Sequence, residues 1–134
     1  MSQGKIIVAN VEEIPPRQFP WGSIRWLYHG HLAADAEMTF GVVTLDPGQE
    51  YPLHSHGNCE EIMYVLKGRI RYLVNDKEHD LGPGSLIRTP KDAQHFAINA
   101  GEDKAVMTVV YSHPLRQTQV VKTPPEDSGA SEEG

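Results

Sequence analysis

His54 and His56 flank Ser55, Glu61 follows after four residues, and His95 stands forty-one positions beyond His54. Alternate side chains leave the same face of an extended strand, so His54 and His56 can point into one cavity. Gly57, Asn58, Cys59 and Glu60 form a short polar connection with turn chemistry that lets the chain reverse and offer a carboxylate to the same point. Neutral imidazoles and a carboxylate suit iron, manganese, nickel, copper or zinc. Taken singly, each of the four reads as an ordinary polar residue near a loop, but their joint spacing allows them to close on one ion. Glu60 competes with Glu61 for the carboxylate role; Met63 and Val65 share the parity of Glu61, which makes Glu61 the expected ligand.

The elements that must position these side chains are strands. Prolines and glycines punctuate the chain, and almost no segment carries the apolar spacing of a long amphipathic helix. Candidate strands cover residues 5–9, 23–29, 38–45, 50–54, 62–66, 69–74, 78–81, 85–89, 95–99, 105–111 and 118–121. Between them fall turn signals such as Asp46-Pro47-Gly48, Lys67-Gly68, Asn75-Asp76 and Gly82-Pro83-Gly84. An all-β sandwich or barrel is expected. Pro15, Pro16 and Pro20 set residues 1–20 apart as an arm with an edge strand, able to cover a sheet edge or reach a neighbouring subunit. Residues 21–121 form the barrel, and residues 122–134, rich in Pro, Ser, Gly and acid, form a flexible acidic tail that cannot offset its ordering entropy.

At 134 residues the chain is one domain's worth, with a net charge of −6 that disfavours phosphate-backbone binding. Lys67, Arg69 and Arg71 alternate with Ile70, Tyr72 and Val74, the pattern of a solvated strand face over a buried one. The single cysteine, Cys59, excludes an intrachain disulfide and reads as a small packed thiol in a reducing, cytoplasmic setting. No segment has the length of a signal peptide or a membrane span, so neither membrane nor nucleic acid is expected as a partner. There is no Ser/His/Asp elbow, no phosphate-cradling loop and no dinucleotide fingerprint, so any chemistry rests on the ion. By strand parity Trp26, Phe40, Met63, Tyr72 and Met107 could line the cavity, and Arg25 and Tyr64 could anchor an anionic substrate.

Gly48, His54, His56, Glu61 and Gly68, at intervals of five, one, four and six residues, resemble the first cupin motif. Gly84, Pro90, Asp92, His95 and Asn99 resemble the second, departing where Asp92 replaces the usual glycine, an exchange that Asp tolerates in turn and left-handed conformations. The resemblance spans roughly residues 40–111 and implies a double-stranded β-helix, a jelly-roll barrel forming a single cupin domain. It implies His54, His56, Glu61 and His95 as ligands inside the barrel to one divalent transition metal, iron first, with manganese, nickel, zinc or copper as alternatives. It further implies a small-molecule substrate and a homodimer. Asn99 is expected to brace a bend through its amide. The activity implied is that of a metal-dependent dioxygenase on an oxygen-chelating enol, diketone or phenol, with Glu61 doubling as a proton carrier. A metal-dependent isomerase or lyase of a small polar or sugar-like substrate and a non-catalytic small-ligand binding or sensing module stand as alternatives. The layout also resembles small cupin lyases acting on sulfonium substrates, except that their tyrosine two positions after the ligand glutamate is Met63 here.

Overall fold

The computed structural model describes residues 4–121. After a 3-10 turn at Val11–Glu13, eleven strands follow: β1 (Arg17–Phe19), β2 (Gly22–Tyr28), β3 (Thr39–Leu45), β4 (His54–Ser55), β5 (Glu61–Lys67), β6 (Ile70–Val74), β7 (Lys77–Leu81), β8 (Leu86–Thr89), β9 (His95–Asn99), β10 (Ala105–Tyr111) and β11 (Gln119–Val120). They build two antiparallel sheets, one in the order β1-β2-β3-β10-β5-β8 and the other β11-β4-β9-β6-β7. The consecutive strands β3, β4, β5 and β6 fall alternately in the two sheets, as in a jelly roll.

Period-two patterning decides what faces the interior. In β3 the inward set is Thr39, Gly41, Val43 and Leu45; in β5 it is Glu61, Met63 and Val65; in β10 it is Ala105, Met107, Val109 and Tyr111. From the other sheet, Ile70 and Tyr72 of β6 and His95, Ala97 and Asn99 of β9 close the core. Glu61 and His95 therefore stand at inward positions at the end of otherwise apolar rows, where the register dictates burial.

Two turns carry the motif chemistry. Gly68 sits at φ 86°, and a Cβ there would come within 2.8 Å of Ala105 Cα, so the β5–β6 hairpin needs glycine. Asp92 occupies the same left-handed region at φ 69°, and its amide donates to the His56 carbonyl at 2.8 Å, tying the loop before His95 to the first histidine pair. Asn99 is buried, its Nδ2 donating to the carbonyls of Leu45 (2.8 Å) and Asp103 (2.9 Å) and its Oδ1 accepting from the Gly101 amide (2.8 Å).

Two expectations are corrected. Residues 5–9 form no strand: Ile6 and Val8 are 82% and 91% exposed, with no neighbouring strand to pair with. The edge strand is β1, paired with β2. The expected strand over 50–54 shrinks to an isolated bridge, Glu50 to Ile98, and the short β4, with Pro52 between them contributing no amide donor. The expected tail, residues 122–134, lies outside the described residues.

Asn99→Ala would strand two carbonyls and one amide. Urea unfolding should show a loss of about 2–3 kcal/mol with an unchanged slope; a loss below about 0.5 kcal/mol would contradict the bracing role.

Candidate metal centre

His54 lies on β4 directly across from His95 on β9, and His56 follows two residues later. Their rings converge, with centroids 4.2 Å apart for His54 and His95 and 4.9 Å for His54 and His56. One ligand nitrogen from each of the three lies within 4.8 Å of the others, so the three imidazoles are positioned for a metal ion. Glu61, at the start of β5, brings its Oε1 to 3.1 Å from His95 Nε2 and 3.4 Å from His56 Nε2. Glu60 turns outward and accepts from Arg88 Nε at 2.7 Å.

The backbone fixes the tautomer of all three rings. His54 Nδ1 lies 2.7 Å from the Pro52 carbonyl, His56 Nδ1 2.9 Å from that of Gln117, and His95 Nδ1 2.9 Å from that of Ala93. A carbonyl can only accept, so each Nδ1 carries the hydrogen and each neutral ring presents a bare Nε2 lone pair. Beside them sits an ionised carboxylate, which also only accepts. His56 Nε2 is buried without a well-formed hydrogen bond, the Glu61 oxygen being at the long end of any contact. Acceptors facing acceptors in a buried space call for a cation, and backbone-held imidazoles are how proteins orient histidine toward one. The donor set fits a divalent transition metal.

A proton on Nε2 can stand in for the cation and turn the contacts with Glu61 into charge-assisted hydrogen bonds. Burial would raise the Glu61 carboxyl, but hydrogen bonds and positive charge from His56 and His95 outweigh it and hold the group far below the usual carboxylate range. Burial, then repulsion from His95 and His56, drives His54 well below an ordinary histidine against the pull of Pro52 and Glu61. For His95 burial acts downward as well, yet the Glu61 hydrogen bond and charge and the Ala93 carbonyl leave it raised. Burial and the Glu61 charge push the Cys59 thiol up to about 11 against the pull of Arg116, so at neutral pH it stays protonated.

Over the histidines lies a small cavity of about 30 Å³, lined among others by Trp21, Tyr51, Met63, Val109, Tyr111 and Arg116. Of the expected lining residues, Met63 is there. Tyr72 and Met107 are wholly buried core; the Tyr72 hydroxyl pairs with Thr89 Oγ1 at 2.9 Å, and its ring lies 5.9 Å from that of His95. Phe40 lies on the outer face of β3, opposite in parity to Val43. Trp26 lines a second, larger hollow beside the first. Neither expected anion anchor reaches the cavity: Arg25 Nε donates to the Ile14 carbonyl at 2.9 Å, and Tyr64 lies on the exposed face of β5. Trp21 and Arg116 were not foreseen, since both fall in irregular segments where parity has no meaning.

Residues 41–111 match the family model described as the cupin domain. Protein SchB of Streptomyces halstedii is 28% identical over 105 residues, covering 78% of this chain and 76% of that protein. Polyketide synthase CurC of Streptomyces cyaneus is 28% identical over 108 residues, covering 81% and 70%. Among solved structures, oxalate decarboxylase of Lactobacillus farciminis superposes with a TM-score of 0.75 at 20% identity over 82% of this chain. The chain spans about a third, 34%, of that longer chain, and the likeness is one of fold.

Purified without added metal, the protein should carry a transition metal by elemental analysis, and Glu61→Ala and His95→Ala should each lower the content roughly tenfold or more. The ion must displace the His95 proton, and that group titrates above its ordinary value. Apparent affinity should therefore fall as pH drops through and below that range, approaching about tenfold per pH unit for one displaced proton. A metal titration unchanged between neutrality and about pH 5 would count against this donor set.

Proposed function

The chain belongs to the cupin domain family, and from that premise we propose that it is a metal-dependent enzyme, a dioxygenase-type oxidoreductase acting on a small substrate that chelates through two oxygens, such as an enolised β-diketone or a phenol. The observation that carries this reading is the cluster of bare imidazole nitrogens beside an acceptor-only carboxylate. His54, His56, Glu61 and His95 would hold one divalent ion, iron first, with manganese, nickel, zinc and copper compatible with the same donors. When bound, the ion would supply Lewis acidity toward the paired oxygens and, if redox-active, electrons for dioxygen chemistry.

The chain's own residues supply the rest. Trp21, Ile24, Val43, Met63 and Val109 line the cavity with apolar surface, which excludes water and strengthens every charge interaction inside. Glu61 is held ionised, and the same contacts with His56 and His95 that keep it so make it a weak base. It would accept the acidic proton of an enol or phenol at Oε1 once the substrate has displaced those contacts, His95 Nε2 lying 3.1 Å from that oxygen. A redox-neutral isomerase or lyase is the second reading, favoured by the likeness to a polyketide synthase. Polyketide chains are built of β-dicarbonyl units, which enolise without oxygen, and Glu61 would then shuttle the proton.

The negative net charge supports a small molecule rather than nucleic acid as partner, and the lone buried thiol of Cys59 suits the cytoplasm. No helix among the described residues is long and apolar enough to cross a membrane. We also propose a homodimer. Ile62, Tyr64 and Leu66 on the outer face of β5 and Leu86 on the neighbouring β8 leave a row of large apolar side chains exposed, surface that a second copy would cover.

Oxygen-electrode assays on iron-loaded protein with a panel of β-diketones and catechols should show uptake that Glu61→Ala lowers about 100-fold or more. Product without oxygen uptake would favour the redox-neutral reading. No turnover of any substrate would overturn both and leave a binding or sensing module. Size-exclusion chromatography with light scattering should give a dimer, and a monomer at micromolar concentration would refute that assignment.

A further inference from the structure

Arg116 lies on the irregular segment between β10 and β11, and Asn58 of the ligand loop clamps that segment on both sides. Asn58 Nδ2 donates to the Leu115 carbonyl at 3.0 Å, and its Oδ1 accepts from the Gln117 amide at 2.9 Å. The guanidinium carbon lies 4.6 Å from the Trp26 ring and 5.1 Å from that of Tyr111, and Nη1 donates to the Thr118 hydroxyl. Among the described residues no carboxylate pairs with it. A half-buried guanidinium stacked on two aromatic faces, with most of its donor fork unspent, is a receptor for a planar anion.

Its position gives that receptor a purpose. Arg116 lines both the cavity over the histidines, about 30 Å³, and the adjoining hollow of about 300 Å³ bounded by Trp26, His29, His31, Thr39 and Leu115. The inner space holds only about two waters, so a ring-bearing substrate that reaches the centre must extend past Arg116 into the outer hollow. Trp21 lines the inner cavity and Trp26 the outer one, so both spaces have an aromatic wall beside the guanidinium.

We infer that Arg116, stacked on Trp26 and Tyr111, forms an anion-binding wall that joins the two cavities and selects a planar aromatic substrate bearing a carboxylate or enolate. This rests on the small-substrate reading above and narrows its class. Arg116 is a specificity residue: it grips the substrate while the chelating oxygens meet the centre.

Calorimetric titration of the metal-loaded protein with salicylate and with its neutral isostere salicylamide tests the wall without turnover. Salicylate should bind tenfold or more tightly than salicylamide. Arg116→Gln should weaken salicylate by about 10- to 100-fold, leave salicylamide within about threefold and keep the metal content of the parent. Arg116→Lys, which keeps the charge and stem, should retain part of the discrimination and guards against a folding artefact. Equal weakening of both probes, no weakening, or loss of metal through the Thr118 hydroxyl, which lies 3.3 Å from His56 Nδ1, would overturn the inference. Salicylate binding that Arg116→Gln leaves unchanged, beside Glu61-dependent turnover of a diketone, would sink this inference and spare the enzyme reading. Arg116-dependent salicylate binding without turnover of any substrate would do the opposite.

Discussion

Three bare imidazole nitrogens and an ionised carboxylate face one another in the barrel interior, an arrangement that repels itself unless positive charge lies among its members. The surrounding structure can be understood as what keeps it from relaxing. His56, Glu61 and His95 are at most 3% exposed, so water cannot disperse the repulsion cheaply. The three Nδ1 hydrogens are committed to backbone carbonyls, so the rings cannot flip to offer N–H groups inward without leaving those carbonyls unpaired. The rigidity of the two sheets is thereby turned into demand for a cation.

The same alternation that builds the core makes this possible at small cost in strand regularity. Glu61 and His95 occupy inward positions of β5 and β9 that would otherwise be apolar, with Met63, Val65, Ala97 and Asn99 continuing the rows behind them. The fold thus separates two tasks along each strand: one end packs and the other binds. Arg116 adds a cationic group between the two cavities where the centre is rich in acceptors, so a molecule carrying oxygen at both ends would find partners in each direction.

What could be seen in the chain before folding follows from periodicity. The rows ending in Glu61 and His95, the turn at Gly68 and the left-handed Asp92 are each set by neighbours within a few residues, and they could be read locally. Residues 5–9 carry an apolar, β-branched run suited to a strand, but composition cannot reveal whether a partner lies alongside, and none does. Arg17–Phe19 is largely polar and short, so the true edge strand carries no such pattern. Trp21 and Arg116 stand in segments whose shape comes from distant hydrogen bonds. Examples are Asp46 N to Trp21 O (2.9 Å), Gly30 N to Pro114 O (2.8 Å), and the Asn58 clamp. Phe40 was misplaced by a single step of parity, enough to move a side chain from the lumen to the outside.

The stretch from Gln117 to Val121 closes the barrel where the first histidines stand: β11 pairs with β4, the Gln117 carbonyl holds His56 Nδ1, and the Val121 amide donates to the Leu53 carbonyl at 2.9 Å. His54 and His95 are oriented by carbonyls two residues upstream, but His56 leaves the ribosome long before the carbonyl that orients it. A nascent chain therefore carries the complete donor set for some time before the His56 ring is fixed, and capture of a cation by all the donors together would come late in barrel maturation rather than serve as its nucleus.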